Sequence, residues 1–198
     1  MIQEKEFLIR FEHLLKDTKG VLVCLTGGVD SSLVLTATAR ILKENIVAIT
    51  FISPLQSKMS IKRAHDIARM LKIPHITYNY YPLSCKEIRF NKSQRCYVCK
   101  DRMFSRARRI AQEKGLTDIF DGTHSEDREV NRPGMRALRE HTIRSPLKEL
   151  GLTKADIRTL AQRMGVANWD LPSESCLATK FPEGSKLSAQ ELRKKDRT

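Results

Sequence analysis

Two short runs of this chain carry residue types and spacings that could do chemistry. The first is Thr26-Gly27-Gly28-Val29-Asp30-Ser31-Ser32, set directly after the apolar run Val21-Leu22-Val23-Cys24-Leu25. Such a run reads as a buried strand, and Leu33, Ala37 and Ile41 then recur at helical spacing. A strand, a glycine turn and a helix N-terminus make an anion site: glycine lets the backbone approach closely, free amides point outward, and the helix dipole favours negative charge. Ser31 and Ser32 add hydroxyl donors where a phosphate would lie. No Gly-Lys-Ser/Thr follows, so the loop is not a Walker A motif.

The second run is Cys96-Tyr97-Val98-Cys99. Two thiols one turn apart suit metals, clusters and redox pairs. A thioredoxin-like motif would stand just after the first strand of its fold, which this one does not. Structural zinc would want a second CxxC or a His pair in a suitable place, and neither is found. Cys85 and Cys176 could contribute, and three cysteines suit an iron–sulfur cluster with one open iron better than closed zinc. The alternative is a set of reduced, unligated thiols. Arg95, Lys100 and Lys180 beside them are expected to depress the thiol pKa values. Cys24, inside the first strand, reads as a small buried hydrophobe.

The elements that must position these groups follow from periodicity. Residues 3–17 form an amphipathic helix pattern through Phe7, Leu8, Phe11, Leu14 and Leu15. The helix after the glycine turn is expected from about Ser31 to Lys43, and Ile46–Phe51 is a second buried strand. A helix over Met59–Leu71, a strand at His75–Tyr78, a helix over Arg102–Lys114 and a strand from Asp118 to Gly122 complete the pattern. Thr153 is placed to cap a helix that continues through Leu160. Alternating strands and helices imply an α/β fold with a doubly wound, mainly parallel sheet. Ligands bind beyond the carboxyl ends of such strands. That gathers the Thr26–Ser32 loop, the segment after Phe51, and Asp121-Gly122-Thr123-His124 around one crevice.

With 198 residues the chain suits one α/β domain and the beginning of another. No apolar segment reaches the roughly 20 residues of a membrane span. The start, Met1 to Glu6, lacks the order of a signal peptide, so a cytoplasmic location is expected. The odd count of five cysteines argues against a disulfide framework. Lys and Arg exceed Asp and Glu to give a net charge of +13, which suits polyanionic partners such as nucleotides or RNA. Much of it lies between Arg89 and Lys114, where a solvated helix face is the simpler reading. The 6% aromatic content is low for a base-stacking platform.

Thr26 to Ser31 resembles the SGGxDS signature of the PP-loop ATP pyrophosphatases, with Thr26 in place of the usual Ser. Further segments coincide with one group of that superfamily, the LarE-type sulfur transferases. Asp121 to Asp127, followed by Arg132-Pro133-Gly134-Met135-Arg136-Ala137, resembles their DGTNxxD…RPGxRA pattern. Ser145-Pro146-Leu147 with Leu152 to Arg158 resembles SPL…LTKxEIR, Trp169 to Ala178 resembles WDKPSxxCLAS, and Asn91 to Lys100 resembles NPxNRCYxCK. The resemblance implies the adenine nucleotide α-hydrolase-like PP-loop fold over residues 1–170. Residues 171–198 are then the start of a shortened C-terminal region carrying Cys176.

It also implies an activity. ATP would adenylate a carboxylate of a pyridinium dicarboxylate mononucleotide, pyrophosphate would leave, and sulfur would enter as a thiocarboxylate on the route to the nickel-pincer nucleotide. Thr26, Gly27, Gly28, Asp30, Ser31 and Ser32 would hold the phosphates, with Asp30 helping to position Mg²⁺. Lys100 and Arg136 would balance charge on leaving pyrophosphate. Gly122 and Thr123 would line the nucleotide crevice, and Asp127 would bind Mg²⁺ or a ligand hydroxyl. Cys96, Cys99 and Cys176 match members that hold a [4Fe–4S] cluster; in members that sacrifice a cysteine, Cys176 would be the consumed donor. The family's usual chains continue past this endpoint into a region that helps bind substrate and build an oligomer. Lys180 stands where Arg is usual, and Lys92-Ser93 interrupts the usual Asn-Pro. Competing readings are a PP-loop tRNA thiolase, favoured by the charge and opposed by the RPGxRA and WDxPSxxC segments, and a non-catalytic nucleotide- or metal-binding module.

Overall fold

Four parallel strands form the sheet in the order β3-β2-β1-β4. The computed structural model of the chain describes residues 2–127 and 133–196, so Arg132 of the Arg-Pro-Gly motif lies outside the described residues. The strands are β1 (Val21–Cys24), β2 (Ile46–Ile52), β3 (His75–Asn79) and β4 (Asp118–Phe120). Val21 of β1 aligns with Ile46 on one side and Asp118 on the other, so β1, β2 and β4 start level. Beyond β4, Arg144 adds a single parallel bridge to Phe120.

The two inner strands, β1 and β2, are almost wholly apolar and buried because helices cover both faces, whereas the edge strand β3 is more polar and only partly buried. On one face Val21, Val23, Leu25, Ile46, Ala48 and Phe120 pack against α1 (Glu4–Leu14), α2 (Val29–Leu42) and α3 (Lys58–Met70). On the other, Leu22, Cys24, Val47, Ile49, Phe51 and Ile119 meet Phe104, Ala107, Ile110 and Ala111 of a long helix, Arg95–Glu113. That helix is α5, and the one-turn α4 (Lys86–Arg89) precedes it. After β4 come α6 (Gly134–Glu140), the single turn α7 (Pro146–Glu149), α8 (Lys154–Arg163) and α9 (Ala189–Lys195). The expected doubly wound parallel sheet is therefore what the chain forms. Among the described residues no helix is long and apolar enough to cross a membrane.

Two boundaries differ from the sequence reading in ways that matter for the site. The helix after the glycine turn begins at Val29, two residues earlier than expected, with Gly28 as N-cap. Helix α5 begins at Arg95 instead of Arg102, which places the whole CxxC run inside its first turns. Its apolar face there is short (Val98 and Met103 only half-buried), so periodicity gave little signal. Thr153 caps α8 as expected, in a full capping box with Asp156, whose carboxyl the two Thr153 hydrogen bonds hold below its ordinary pKa.

A third apolar cluster stands apart from the sheet. Leu177, Ala178, Leu187 and Leu192 from the C-terminal arm close over Leu55, Cys85 and Ile88. Asn91 locks the arm: it is fully buried, has φ +44°, and its side-chain amide donates to the carbonyls of Ala178, Phe181 and Pro182.

Candidate functional site

In parallel crossover units each helix starts at the carboxyl end of the sheet. The starts of α2 and α3 meet there through Gly27 and Ser60, and α5 and α8 bring Lys100 and Lys154 to the same end.

The glycine loop is shaped from within. Gly27 takes φ +81°, a left-handed conformation that disfavours a side chain, and a Cβ on it would lie 2.0 Å from the carbonyl oxygen of Ser60 in α3. Its carbonyl accepts from Asn168 Nδ2 at 2.8 Å and Arg63 Nε at 3.2 Å. The hydroxyls expected to meet phosphate are engaged inside the loop. Ser32 is fully buried and donates to the Gly28 carbonyl at 2.8 Å, while Ser31 Oγ donates to the same carbonyl and accepts from the Thr26 amide at 3.1 Å. These serines hold the loop's shape. What the loop offers an anion is the start of α2: Gly28 supplies no side-chain cap to its first amides.

Gly122 closes the opposite wall. A Cβ there would meet the Ser31 amide nitrogen at 2.7 Å and Asp30 at 3.1 Å, so the Asp121–His124 segment lies directly on the start of α2. Two of the three expected segments, the glycine loop and Asp121–His124, thus meet, while the segment after Phe51 leads into α3, whose Ser60 packs on Gly27. Thr123, expected to line the crevice, is buried, with its amide and hydroxyl donating to the carboxylate of Asp121 at 3.1 and 2.6 Å. Asp121 also accepts from Ser145 Oγ at 2.7 Å and pairs with Lys100 at 3.8 Å. Asp121 is an organising residue that the sequence reading quoted only as part of a motif. Asp127 is buried and accepts from the His124 amide at 3.2 Å.

Lys154 lies in the motif-like Leu152–Arg158 segment, which by itself assigns it no role. The first residue of α8, it ion-pairs with the half-buried Asp30 across the mouth of the loop. Its amide donates to Glu126 at 2.7 Å. Lys100 reaches the same end of the sheet from α5. Arg136 is more exposed; its described partners are Glu140 at 3.4 Å and the Tyr97 ring at 3.6 Å, beside the CxxC turn.

Cys96 and Cys99 are half-buried on α5, and Cys176 is exposed in the loop before the 3-10 turn Leu177–Lys180. The three thiols come near enough for Cys99 to feel both others and for Cys176 to feel Cys96. The expectation of depressed thiol pKa values is overturned at Cys99 and Cys176. Burial pushes Cys99 up to about 12, reinforced by its two cysteine neighbours and only partly offset by Tyr80 and Lys100. Desolvation likewise raises Cys176 against the Ala178 amide and Arg95. Lys180 instead donates to the carbonyl of Lys195 at 2.9 Å. Three soft thiol donors suit an iron–sulfur cluster in kind and number. Among the described residues no three Cys, His, Asp or Glu side chains are gathered closely enough to hold a single metal ion, whereas a cluster takes each thiolate on a different iron.

The loop bearing Cys176 is pinned at Glu174. Its carboxylate accepts from Ser57 Oγ at 2.7 Å and pairs with Arg63 of α3. Those two donors hold it below the ordinary glutamate pKa against the opposing effect of desolvation.

Comparison with known proteins agrees with this geometry. The model of the NAD synthase family matches residues 2–114. An uncharacterised protein of Synechocystis is 32% identical over 173 residues, covering 87% of this chain and 65% of its own. The pyridinium-3,5-bisthiocarboxylic acid mononucleotide synthase of Lactiplantibacillus plantarum is 33% identical over 177 residues, covering 88% of this chain and 63% of its own. The chain spans just under two thirds of the length of both relatives. Among solved structures, NMN synthetase from Francisella tularensis superposes with a TM-score of 0.69 at 15% identity, covering 97% of this chain and 85% of that one. The NH3-dependent NAD synthetase of Campylobacter jejuni gives 0.62 at 18% identity, covering 83% and 73%. At these identities the two structures speak for the fold alone.

Proposed function

The chain belongs to the NAD synthase family, and we propose that it is an ATP-dependent, adenylating sulfur transferase of the LarE type. Its acceptor is a carboxylate of a pyridinium dicarboxylate mononucleotide, on the route to the nickel-pincer nucleotide. The observation that carries this reading is the uncapped start of α2, walled by Gly27 and Gly122 and faced by Asp30 and Lys154. Acceptor and sulfur chemistry are supported by the 33% identity to a protein named for making a bisthiocarboxylic acid mononucleotide.

In this mechanism a substrate carboxylate oxygen attacks the α-phosphorus of ATP. The bond to pyrophosphate breaks and an acyl-adenylate forms. A sulfur nucleophile then adds at the acyl carbon and AMP leaves, so a C–S bond replaces a C–O bond. The first amides of α2 receive phosphate oxygens, and Lys154, tied to Asp30 in the free protein, supplies a cation at the same mouth. Asp30, with Asp127 as a second carboxylate, would hold Mg²⁺, which when bound neutralises phosphate charge. Lys100, steadied by Asp121, faces the leaving pyrophosphate, and Arg136 contributes from farther out. Thr123 acts by fixing Asp121.

We assign the sulfur-donating group to Cys96, Cys99 and Cys176, as a [4Fe–4S] cluster that when bound supplies an iron open to a sulfur ligand. Support comes from the two chain segments that bring the thiols within each other's electrostatic reach. Residues 171–198 are read as the beginning of a C-terminal region.

The test is formation of AMP and pyrophosphate from ATP, dependent on the mononucleotide acceptor and abolished in Asp30→Asn. ATP turnover to ADP, or no acceptor-dependent pyrophosphate, would overturn the assignment. For the cluster, anaerobically purified protein should carry about four irons per chain, lost in each cysteine-to-alanine variant. No iron after anaerobic reconstitution would remove the cluster and leave Cys176 itself as donor.

A further inference from the structure

One side chain touches both halves of this site. Arg63, on α3, is mostly buried, at 19% side-chain exposure. Its Nε donates to the carbonyl of Gly27 at 3.2 Å, and its Nη2 pairs with the carboxylate of Glu174. Gly27 belongs to the phosphate loop, and Glu174 stands two residues before Cys176. The guanidinium is a rigid planar fork, so its two bonds fix two partners in one geometry, which a lysine could not do.

The segment it holds has little else to hold it. Trp169 to Cys176 is exposed at every residue and has no helix or strand beyond Trp169 and Asp170, which lie in a turn. Arg158 accepts the burden at one end, donating to the carbonyls of Trp169 and Leu171 at 3.3 and 2.8 Å. At the other end the Leu177 amide donates to the Leu55 carbonyl at 2.9 Å. Between those points, among the described residues, the side-chain hold on the body of the protein is Glu174, through Arg63 and Ser57. Glycine 27 is equally constrained on its far side, since its α-carbon is jammed against Ser60 one turn from Arg63. A shift of the phosphate loop therefore moves the carbonyl that orients Arg63, and with it the anchor of the cysteine segment.

We propose that Arg63 and Glu174 are a positioning pair that couples occupancy of the phosphate loop to the placement of Cys176. The inference rests on the reading of the loop as an ATP site and of Cys176 as part of the sulfur-donating set. Neither residue touches the reacting atoms. Their role is to present the sulfur-bearing segment in register with the adenylated acceptor.

The experiment follows alkylation of Cys176 by iodoacetamide, quantified by peptide mass spectrometry, on the full chain purified without added metal. Rates are compared with and without Mg²⁺ and a non-hydrolysable ATP analogue, whose binding is measured separately by calorimetry. In the unaltered protein the analogue should change the Cys176 rate about fivefold or more, the lower range of ordinary coupling between sites. In Arg63→Ala and in Glu174→Ala that ratio should collapse to about one while the analogue still binds. Arg63→Lys should also lose it, whereas Glu174→Gln, which keeps an acceptor for Arg63, should retain most of it. A ratio unchanged in both alanine variants, or no effect of bound analogue on Cys176 in the unaltered protein, overturns the inference alone. No binding of the analogue to the unaltered protein overturns the ATP-site reading beneath it.

Discussion

Replacing Gly27 by alanine tests whether the phosphate loop is held as described. The new Cβ would lie 2.0 Å from the Ser60 carbonyl oxygen and 2.8 Å from its carbon, where ordinary contact begins near 3.4 Å. Relief requires α3 or the loop to retreat by about 1.4 Å, and both contacts are backbone, so no side chain can swing aside. Overpacking of this kind costs about 1–3 kcal/mol, and the left-handed conformation at φ +81° adds about 1–2 kcal/mol for a residue with a Cβ. The retreat would also pull the Gly27 carbonyl from Arg63 and Asn168. Destabilisation of about 2–5 kcal/mol is therefore expected, read as a fall in the urea midpoint at unchanged slope. Gly28→Ala is the internal control, because its Cβ would stand 3.5 Å from Thr26 Oγ1 in ordinary contact. Gly122→Ala should fall between them, with its contact to the Ser31 nitrogen at 2.7 Å. If Gly27→Ala unfolds within about 0.5 kcal/mol of the unaltered protein, the description of the loop's packing against α3 is wrong.

Three further outcomes are expected. Lys154→Ala should weaken ATP binding by about ten- to a hundredfold in calorimetry, as for loss of a charge-assisted contact, and cost less than about 1 kcal/mol of stability because the Asp30 pair is partly solvated. Equal affinity would remove Lys154 from the site. Thr153→Ala dissolves the capping box of α8 and should lower stability by about 1 kcal/mol, a melting shift of roughly 2–4 °C; an unshifted melting curve would show the cap to be idle. In metal-free protein the alkylation rate of Cys99 should keep climbing with pH beyond the ordinary thiol value of 9.0, because burial and its cysteine neighbours keep the thiol protonated until pH approaches about 12. A plateau near pH 9 at the Cys99 peptide would contradict that burial.

Much of this was legible in the sequence because the central strands are buried on both faces. Val21–Leu25 and Ile46–Phe51 have no polar alternation to confuse them, and the glycine turn marks where the first ends. Helix α5 was read seven residues short because its first turns are polar and cysteine-bearing, and pattern is silent where packing is thin. The same segment misled on thiol acidity. Arg95 and Lys100 are adjacent in the chain, but sequence does not reveal the burial that outweighs them at Cys99. Long-range partners were invisible for a related reason: Lys154 and Asp30 are 124 positions apart, and only the topology that stacks α8 beside α2 joins them. Asp121 was quoted within a motif, yet its grip on Thr123, Ser145 and Lys100 could be seen only once β4 and the segment after it were placed together.

The amide of Asn91 gives the C-terminal arm a mechanical independence. It grips the carbonyls of Ala178, Phe181 and Pro182, and the arm's leucines rest on Leu55, Cys85 and Ile88 without entering either face of the sheet. A region joined this way can detach by breaking one small apolar contact, the Asn91 clasp and a few hydrogen bonds, such as those from the Leu187 amide to Arg89 and from the Lys58 amide to Asp196, leaving the strands paired. Native-state hydrogen exchange would then find residues 177–195 opening as a separate cooperative unit at lower free energy than β1 and β2. The Cys176 segment lies at the root of that unit, so its sulfur can move away from Cys96 and Cys99 and return while the nucleotide-binding half stays folded.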